Sequence, residues 1–248
     1  MGSDPLHIAL ASDSGRMGQA LARLIDQADD LIAGPVLGRD YTDTKALQDT
    51  DALIDFTLPD ATAGFAETAA TAGVPLVVGT TGLDQHASEA LDKAAQSIPV
   101  LAAANMSLGV NLLAALVQQV AATLSADQAD IDIVEMHHRH KRDAPSGTAL
   151  MLGKAAADGR GVDLQDVRQD TRSGDTGERP SGEIGFATLR GGDIAGDHSV
   201  HFAATGELLT LSHRATSRDV FANGALVAAR WLVNQPAGRY TMADCLGL

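Results

Sequence analysis

The stretch LHIALASDSGRMG, residues 6–18, begins with an apolar run and ends in small residues. The run Leu6–Ala11 has the length and composition of a buried strand, and Gly15 and Gly18 fall where a turn passes into a helix. A strand, a tight turn and a helix in immediate succession are typical of the first unit of a parallel sheet. This stretch therefore predicts an α/β fold.

The same alternation continues to residue 106. Further strands are predicted at Leu31–Leu37, Leu53–Phe56, Leu76–Val78 and Val100–Ala104, and helices at Met17–Asp29, Asp60–Ala72 and Asp84–Gln96. Pro35 places the second strand at an edge or a bend, because proline cannot donate to a strand ladder. Short strand–helix units of this kind predict a Rossmann-like, doubly wound parallel sheet.

The pattern changes after residue 106, which places a domain boundary near residue 107. The predicted elements of this part are a helix with Leu112, Leu113, Leu116, Val117 and Val120 on one face, an alternating strand over Asp130–Glu135, a polar segment Met136–Thr148, a helix Ala149–Ala157, a polar loop 165–182, antiparallel strands Ile184–Leu189, Ser199–Ala203 and Leu208–Ser212, and a helix Val220–Val233. The last two strands are joined through Thr205-Gly206. Clustered strands with few helices predict an α+β domain.

The composition excludes several classes of function. The chain has 18 Lys and Arg against 32 Asp and Glu, a net charge of −14, which argues against a general binder of nucleic acids or anionic membranes. The single cysteine, Cys245, cannot form an internal disulfide and disfavours structural zinc. There is no apolar run of about 20 residues and no signal-peptide pattern, so a cytoplasmic location is expected.

The turn after the first strand is a candidate dinucleotide site. Gly15 and Gly18 allow close approach of backbone, and the N–H groups at the helix start can hold a pyrophosphate. The usual first glycine is replaced by Ser12. A tight turn without any ligand is the alternative interpretation.

The end of the second predicted strand bears on cofactor choice. A carboxylate there usually accepts the ribose 2′-OH of NAD, but this chain has Gly38 followed by Arg39 and Asp40. Arg39 is a candidate partner for a 2′-phosphate, and the alternative is an ordinary solvated arginine. The sequence therefore predicts a preference for NADPH, or use of both NADPH and NADH.

Residues 135–148 concentrate positive charge in an acidic chain. Each of the six positions from His137 to Arg142 is cationic or can become so, which predicts an anionic partner. The helix that follows Ser146-Gly147-Thr148 offers its N–H groups to a carboxylate. Imidazole and ammonium groups beside such a site can supply protons.

Three alternatives to that interpretation remain at this point. His137 and His140, with Glu135 nearby, are possible metal ligands, although a full ligand set is missing. The segment is otherwise a solvated basic loop. Ser146 as an acyl nucleophile is disfavoured, because it lacks the strand–elbow–helix setting of that motif.

The segment Glu135–Thr148 resembles a motif of the 4-hydroxy-tetrahydrodipicolinate reductase family, also called dihydrodipicolinate reductase. Further segments match this family in the same order along the chain: Gly15–Gly18, Ile54–Thr57, Gly79–Gly82, Ala104-Asn105, Gly109–Asn111, Thr176–Arg179, Ile184–Ala187 and Phe221–Ala225. The resemblance covers the chain from end to end.

The resemblance implies a reductase of diaminopimelate and lysine biosynthesis, which uses NADPH or NADH to convert 4-hydroxy-tetrahydrodipicolinate to tetrahydrodipicolinate. Residues 1–106 with 218–248 would bind the dinucleotide. Residues 107–217 would bind the dicarboxylate substrate and, through an open mixed sheet, form a homotetramer.

The resemblance also assigns individual residues. It implies that His137 is the proton donor or acceptor, that Lys141 is the proton donor, and that no metal takes part. The residues implied to hold the substrate carboxylates are His138, Ser146, Gly147 and Thr148. The residues implied to contact the cofactor, besides Arg39, are Ser12, Asp13, Ser14, Gly15, Arg16, Met17, Gly79, Thr80, Thr81, Ala103, Ala104, Asn105 and Met106.

This chain departs from the family pattern at a few places. Ser12 and Ser14 replace glycines of the turn, and Met106 stands where Phe or Tyr is common. Two other functions stay open: a different Rossmann-type reductase of a small anionic substrate, and a non-catalytic sensor of the cofactor. A substrate panel separates the first alternative, and an NADPH-oxidation assay separates the second.

Overall fold

A computed structural model describes residues 4–38 and 43–248. The chain divides into two compact units. The first contains the chain up to Leu108 together with Asp219–Leu248, and the second contains Gly109–Arg218. Among the described residues, no helix is both long enough and apolar enough to cross a bilayer.

The secondary structure follows the chain in this order. The strands are β1 Leu6–Leu10, β2 Leu31–Val36, β3 Ala52–Asp55, β4 Leu76–Val78, β5 Pro99–Ala102, β6 Ala129–His137, β7 Arg168–Gln169, β8 Ile184–Arg190, β9 Gly196–Ala204, β10 Glu207–Ala215 and β11 Gly238–Tyr240. The helices are α1 Arg16–Asp26, α2 Pro59–Ala72, α3 Gln85–Ala94, α4 Leu108–Thr123, α5 Gly147–Arg160, α6 Leu164–Val167, α7 Asp219–Leu232 and α8 Met242–Leu246, with a 3-10 helix at Thr44–Leu47.

The first unit is built on a parallel sheet with the order β11-β5-β4-β3-β1-β2. This confirms the predicted Rossmann-like sheet, and β2 with its proline lies at the edge as expected. Strand β11 was not predicted, because three residues are too few to show a periodicity.

Helices cover both faces of this sheet. Successive side chains of a strand point to opposite faces. Ile8 of β1 accordingly packs in one cluster with α1 and α7, whereas its neighbour Ala9 packs in another with Phe65 of α2 and Leu91 of α3. The near-continuous apolar strands of the sequence are therefore buried from both sides.

Helix α7 packs in this unit although it lies far along the chain. A Cβ atom on Gly224 would overlap the backbone carbonyl of Met106. Glycine at this position lets the helix touch the backbone after β5. Helix α7 then places Ala225 and Leu226 in the same core cluster as Met106.

The second unit holds a mixed sheet with the order β10-β9-β6-β8-β7. Strands β6, β9 and β10 pair antiparallel, and the predicted hairpin through Thr205-Gly206 is confirmed. The prediction that Ile184–Leu189 is an antiparallel strand is wrong, because β8 runs parallel to β6. The connection between β6 and β8 contains helix α5, and a helical crossover returns the chain in the same direction.

Two other expectations for this unit need correction. The buried face of α4 is formed by Val110, Leu113, Val117 and Ala121, whereas Leu112 and Leu116 are exposed. The predicted polar loop 165–182 begins with most of α6 and with β7. The remainder is fastened to β6 through Arg179, which donates to Asp132 Oδ2 at 2.7 Å and to the Ile131 carbonyl at 2.9 Å.

Candidate functional site

The turn between β1 and α1 lies at the carboxyl end of the parallel sheet. Gly15 is the N-cap of α1, and the helix begins at Arg16. A Cβ on Gly18 would overlap the Ser12 carbonyl, so glycine there permits contact between helix and turn. Among the described residues, no atom beyond Gly15 and its chain neighbours lies within 4 Å of the place that a Cβ would take on Gly15, so this residue leaves open space before the helix N-terminus.

That space belongs to a cavity of about 670 Å³. Its lining residues are Ser12, Ser14, Gly15, Gly18, Gly38, Phe56, Thr57, Leu58, Asp60, Ala61 and Phe65. Three predicted cofactor residues, Ser12, Ser14 and Gly15, are thus part of its wall. Asp13, Arg16 and Met17 are not among the lining residues, and Arg39 lies outside the described residues.

The cavity wall after β3 was missed as a site by sequence reasoning. Asp55 is fully buried, and its carboxylate accepts hydrogen bonds from the Thr57 N–H at 2.8 Å and from the hydroxyl groups of Thr57 at 2.6 Å and Thr62 at 2.8 Å. The charge therefore points inward and shapes the loop that lines the cavity. An acidic residue at the end of an apolar strand was the signal that could have drawn attention to this loop.

The predicted segment Gly79–Thr81 packs beside the same loop. A Cβ on Gly79 would overlap the ring of Phe56, and the Gly79 N–H donates to the Asp55 carbonyl at 2.8 Å. Thr80 is buried, whereas Thr81 is exposed. Glycine at position 79 is thus needed for the aromatic ring to lie against the strand end.

The predicted segment Ala103–Met106 follows β5. Ala104 is exposed, and Asn105 accepts a hydrogen bond from the Ser107 N–H at 2.9 Å. Met106 is only 1% exposed and belongs to the core cluster that includes Leu226. Its side chain packs in the core beneath this segment, and its contact with the cofactor stays a prediction. An unbranched apolar side chain fits a core as readily as a ligand site, so the sequence could not separate the two.

In the second unit, the end of β6 carries a buried ionic cluster. Glu135 and His137 lie on the buried face of the strand, because they continue the alternation of Ile131 and Ile133. Glu135 accepts hydrogen bonds from both terminal nitrogens of Arg190, each at 2.8 Å. One oxygen of the same carboxylate lies 2.5 Å from Nδ1 of His137. Parallel pairing aligns His137 with Arg190, which brings the three side chains together.

Burial and hydrogen bonds shift the pKa values of Glu135 and His137 in this cluster. Burial alone would raise the pKa of Glu135, but hydrogen bonds from Arg190 and His137 outweigh it and hold that pKa below its ordinary value. Burial lowers the pKa of His137 in spite of the opposing effect of Glu135. Since an ionised carboxylate can only accept hydrogen bonds, this contact favours a proton on Nδ1 of His137.

Ser146 connects this cluster to the start of α5. Its hydroxyl accepts from the Ala149 N–H at 3.1 Å as the helix N-cap and lies 3.1 Å from Nε2 of His198, while its own N–H donates to Glu135 at 3.0 Å. Ser146 is 1% exposed. Its polar groups thus have partners inside the protein, and its contact with substrate stays a prediction. Gly147 and Thr148 follow in the first turn of α5.

The loop after β6 carries the other predicted residues of this site. Lys141 forms an ion pair with Asp143 at 2.9 Å, and 22% of the lysine side chain is exposed. Arg190 also donates to the Asp143 carbonyl at 2.6 Å, so the ionic cluster anchors this loop. His138 lies 3.4 Å from Arg218, measured from Nε2 to Nη2.

The six-residue cationic run does not form one surface. Arg139, His140 and Arg142 are exposed, whereas His137 is buried. Among residues 4–38 and 43–248, no three side chains of His, Cys, Asp or Glu are placed to hold a metal ion together. Glu135, considered from the sequence as a metal ligand beside His137, instead forms the ion pair with Arg190.

Family models match both units. A model for the dihydrodipicolinate reductase N-terminus matches residues 6–106, and one for its C-terminus matches residues 109–246. The chain is 51% identical over 248 residues to a 4-hydroxy-tetrahydrodipicolinate reductase from Zymomonas mobilis subsp. mobilis, with 97% of each chain covered. It is 49% identical over 267 residues to one from Parvibaculum lavamentivorans, with 98% of each covered.

The fold is also similar to solved structures. A dipicolinate-bound dihydrodipicolinate reductase from Paenisporosarcina sp. TG-14 aligns with a TM-score of 0.75 at 19% identity, covering 97% of this chain and 98% of that one. A diaminopimelate (DAP) dehydrogenase from C. glutamicum aligns with a TM-score of 0.57 at 13% identity, covering 98% and 94%. At these identities the likeness concerns the fold.

Proposed function

The chain belongs to the dihydrodipicolinate reductase family, and from this membership we propose how its residues carry out the reaction. The enzyme is an NAD(P)H-dependent oxidoreductase that reduces 4-hydroxy-tetrahydrodipicolinate to tetrahydrodipicolinate in diaminopimelate and lysine biosynthesis. The observation that carries the proposed mechanism is the cluster at the end of β6, where a buried His137 is held by Glu135 and is followed by Lys141 on the next loop.

The first unit would hold the nucleotide. The open space at Gly15, the N-terminus of α1 and the adjoining cavity fit a pyrophosphate with the nucleoside attached to it. Ser12 and Ser14 bring hydroxyl groups into this wall, with their Oγ atoms 3.0 Å apart. Gly79–Thr81 and Ala103–Asn105 follow β4 and β5, and we assign them to the nicotinamide end. The reduced cofactor supplies the hydride.

The second unit would hold the substrate. The dipicolinate in the Paenisporosarcina structure is a dicarboxylate, which supports a dicarboxylate as the ligand of this chain. We assign one carboxylate to the first turn of α5 at Gly147 and Thr148, where the helix dipole favours negative charge. His138 is assigned to the same task from the neighbouring loop. Ser146 is assigned to hold the start of α5 in place, because its side chain caps this helix.

Proton supply is assigned to Lys141 and His137. Lys141 carries an ammonium group on a partly exposed loop, and its ion pair with Asp143 holds that group in place. Nδ1 of His137 lies 2.5 Å from Glu135, so we assign the exchange of a proton with substrate to Nε2. Contacts within the protein hold both groups in position, and general acid catalysis requires a positioned side chain.

The remaining assignments concern the assembly and its location. We propose a homotetramer formed through the outer face of the second unit's sheet, where Leu189 of β8 and Leu208 of β10 are 47% and 60% exposed. Exposed apolar residues on a sheet face favour association with another copy. A cytoplasmic location is consistent with the biosynthetic role of the family.

An NADPH-oxidation assay tests this function. The substrate is made in situ from pyruvate and aspartate semialdehyde, and the loss of reduced cofactor is followed by absorbance. Lys141→Ala should lower kcat by about 10²–10⁴-fold with cofactor binding intact, since that is the usual contribution of a general acid. The matched control is Lys154→Ala, which breaks only an exposed ion pair with Asp158 within α5. A wild-type enzyme without turnover would favour a sensor, and a normal kcat in Lys141→Ala would refute the assignment of the lysine.

A further inference from the structure

Glu135 is a charged residue on a strand face that is otherwise apolar up to this point. It is 1% exposed and continues the apolar face of β6 after Ile131 and Ile133. A buried ion pair is often no more stabilising than apolar residues of similar volume. The carboxylate at this position therefore calls for an explanation beyond stability.

We propose that Glu135 is a positioning residue for proton transfer: held by Arg190, it fixes the proton of His137 on Nδ1 and thereby presents Nε2 to the substrate. This inference rests on the proposed function, in which His137 handles a proton. It concerns residues that the family's motif does not by itself connect, since Arg190 lies 55 positions beyond Glu135 and meets it only through strand pairing.

The geometry supports a directed role. Arg190 binds Glu135 through both terminal nitrogens at 2.8 Å, and this bidentate contact fixes the plane of the carboxylate. The same carboxylate then lies 2.5 Å from Nδ1 of His137. Because a carboxylate cannot donate, the tautomer of the neutral ring follows from this contact alone.

The other nitrogen of His137 faces a position without a side chain. A Cβ on Gly196 of β9 would lie 3.2 Å from Nε2 of His137, tighter than ordinary van der Waals contact. Glycine at this position keeps the neighbouring strand away from the atom that the tautomer exposes. Gly196 of β9 thus leaves room at Nε2 of His137, while Glu135 contacts Nδ1.

Charged or titratable groups lie near His137 on its own strand, on both neighbouring strands and on the following loop. They are Glu135 on its own strand, Arg190 on β8, Lys141 on the following loop and His198 on β9, whose ring centroid is 5.0 Å away. Of these groups, Lys141 and Arg190 oppose protonation of His137 and Glu135 favours it. Removing the charge of Glu135 should therefore lower the pKa of His137 further and make it a poorer proton source at neutral pH.

Glu135→Gln is the test, because it keeps the size of the side chain and removes its charge. We expect kcat to fall by at least about tenfold with KM changed much less, since orientation and proton affinity act on the chemical step. The limb of the pH–rate profile that reports His137 should move to lower pH. Glu135→Asp retains a carboxylate and should recover part of the lost kcat.

A spectroscopic readout separates positioning from mere stability. Nitrogen-15 NMR of labelled histidine, with His137→Asn to assign the signal, shows directly which ring nitrogen carries the proton. The wild type should show the Nδ1–H tautomer, and Glu135→Gln should show a mixture. Thr188→Val is the matched control, because Thr188 donates a hydrogen bond to Glu135 at 3.3 Å and, among the described residues, none to His137; it should keep the wild-type tautomer and kcat.

The possible outcomes are distinct. An unchanged tautomer together with a normal kcat in Glu135→Gln would overturn the proposal. Equal losses in Glu135→Gln and Thr188→Val would also overturn it, because a general loosening of the cluster would then explain both. A wild-type enzyme without turnover would refute the proposed function, and the tautomer measurement would still decide whether Glu135 orients His137.

Discussion

Replacing His198 with glutamine should make the protein less sensitive to mild acid. His198 of β9 is 4% exposed and faces Glu135 across the strand pair, with its Nε2 3.1 Å from the Ser146 hydroxyl. Burial, followed by the nearby charge of His137, lowers the pKa of His198 from 6.5 to about 4. The folded protein therefore keeps this imidazole neutral at a pH at which an unfolded chain would protonate it.

The direction and size of the effect follow from this difference. As the pH falls below 6.5, the unfolded chain gains a proton on His198 and the folded one does not, so acid favours unfolding until the pH reaches about 4. Between about pH 7.5 and about pH 5, this one group should remove about 2 kcal/mol from the free energy of unfolding. Glutamine at position 198 cannot take up a proton. The free energy of unfolding of His198→Gln should therefore fall by about 2 kcal/mol less than that of the wild type over the same pH interval.

Urea unfolding of both proteins at the two pH values, followed by circular dichroism, measures this difference. His201→Gln is the matched control, because it alters a histidine on the other face of β9 and leaves the bond between His198 and Ser146 in place. It should retain the loss of stability that His198 causes. NMR titration of the ring signal missing in His198→Gln gives the pKa itself. Equal acid sensitivity of wild type and variant, or a midpoint near 6.5, would refute the reasoning.

Three further predictions concern the cofactor, the assembly and the core. Arg39→Ala should raise KM for NADPH more than for NADH at fixed ionic strength, because a charge-assisted bond to the 2′-phosphate contributes about 1.5–3 kcal/mol; equal effects on both cofactors would contradict the assignment. Light scattering at micromolar concentration should give the mass of a tetramer, and a clean monomer would exclude the proposed assembly. Gly224→Ala should lower the free energy of unfolding by about 1–3 kcal/mol, since its Cβ would overlap the Met106 carbonyl. Gly191→Ala, with open space around its Cβ, is the control, and equal stability of the two variants would show that the helix simply shifts.

Local sequence patterns predict much of the first unit. Each strand of the parallel sheet up to β5 corresponds to a short apolar run, and Pro35 indicates the edge position of β2. The second unit is predicted less well. Three clustered strands suggest hairpins and hence an antiparallel β8, whereas helix α5 separates β6 from β8 and makes them parallel. Strand direction depends on what the connection contains, and periodicity within a strand does not record it.

The candidate site shows the same division. The cationic motif predicts that His137 and Lys141 handle protons, and the glycine turn predicts the nucleotide end of the site. The sequence also predicts that Met106 and Ser146 contact ligands, whereas only the structure shows that the first lies in the core and that the second caps a helix. A sequence shows that a side chain is apolar or has a hydroxyl group, but not which neighbour that group meets.

The sequence by itself indicated the family and, through that resemblance, the reaction, and it predicted the strands of the first unit up to β5, because these depend on motifs and periodicities within short segments. Only the tertiary structure decided how His137 is held. Glu135, Arg190 and His198 come from three strands, and their meeting at His137 follows from the parallel register of β6 with β8 and the antiparallel register of β6 with β9. Hydrogen bonds and burial set the proton position and the pKa of these groups. Both depend on cross-strand neighbours, which no local pattern in the chain specifies.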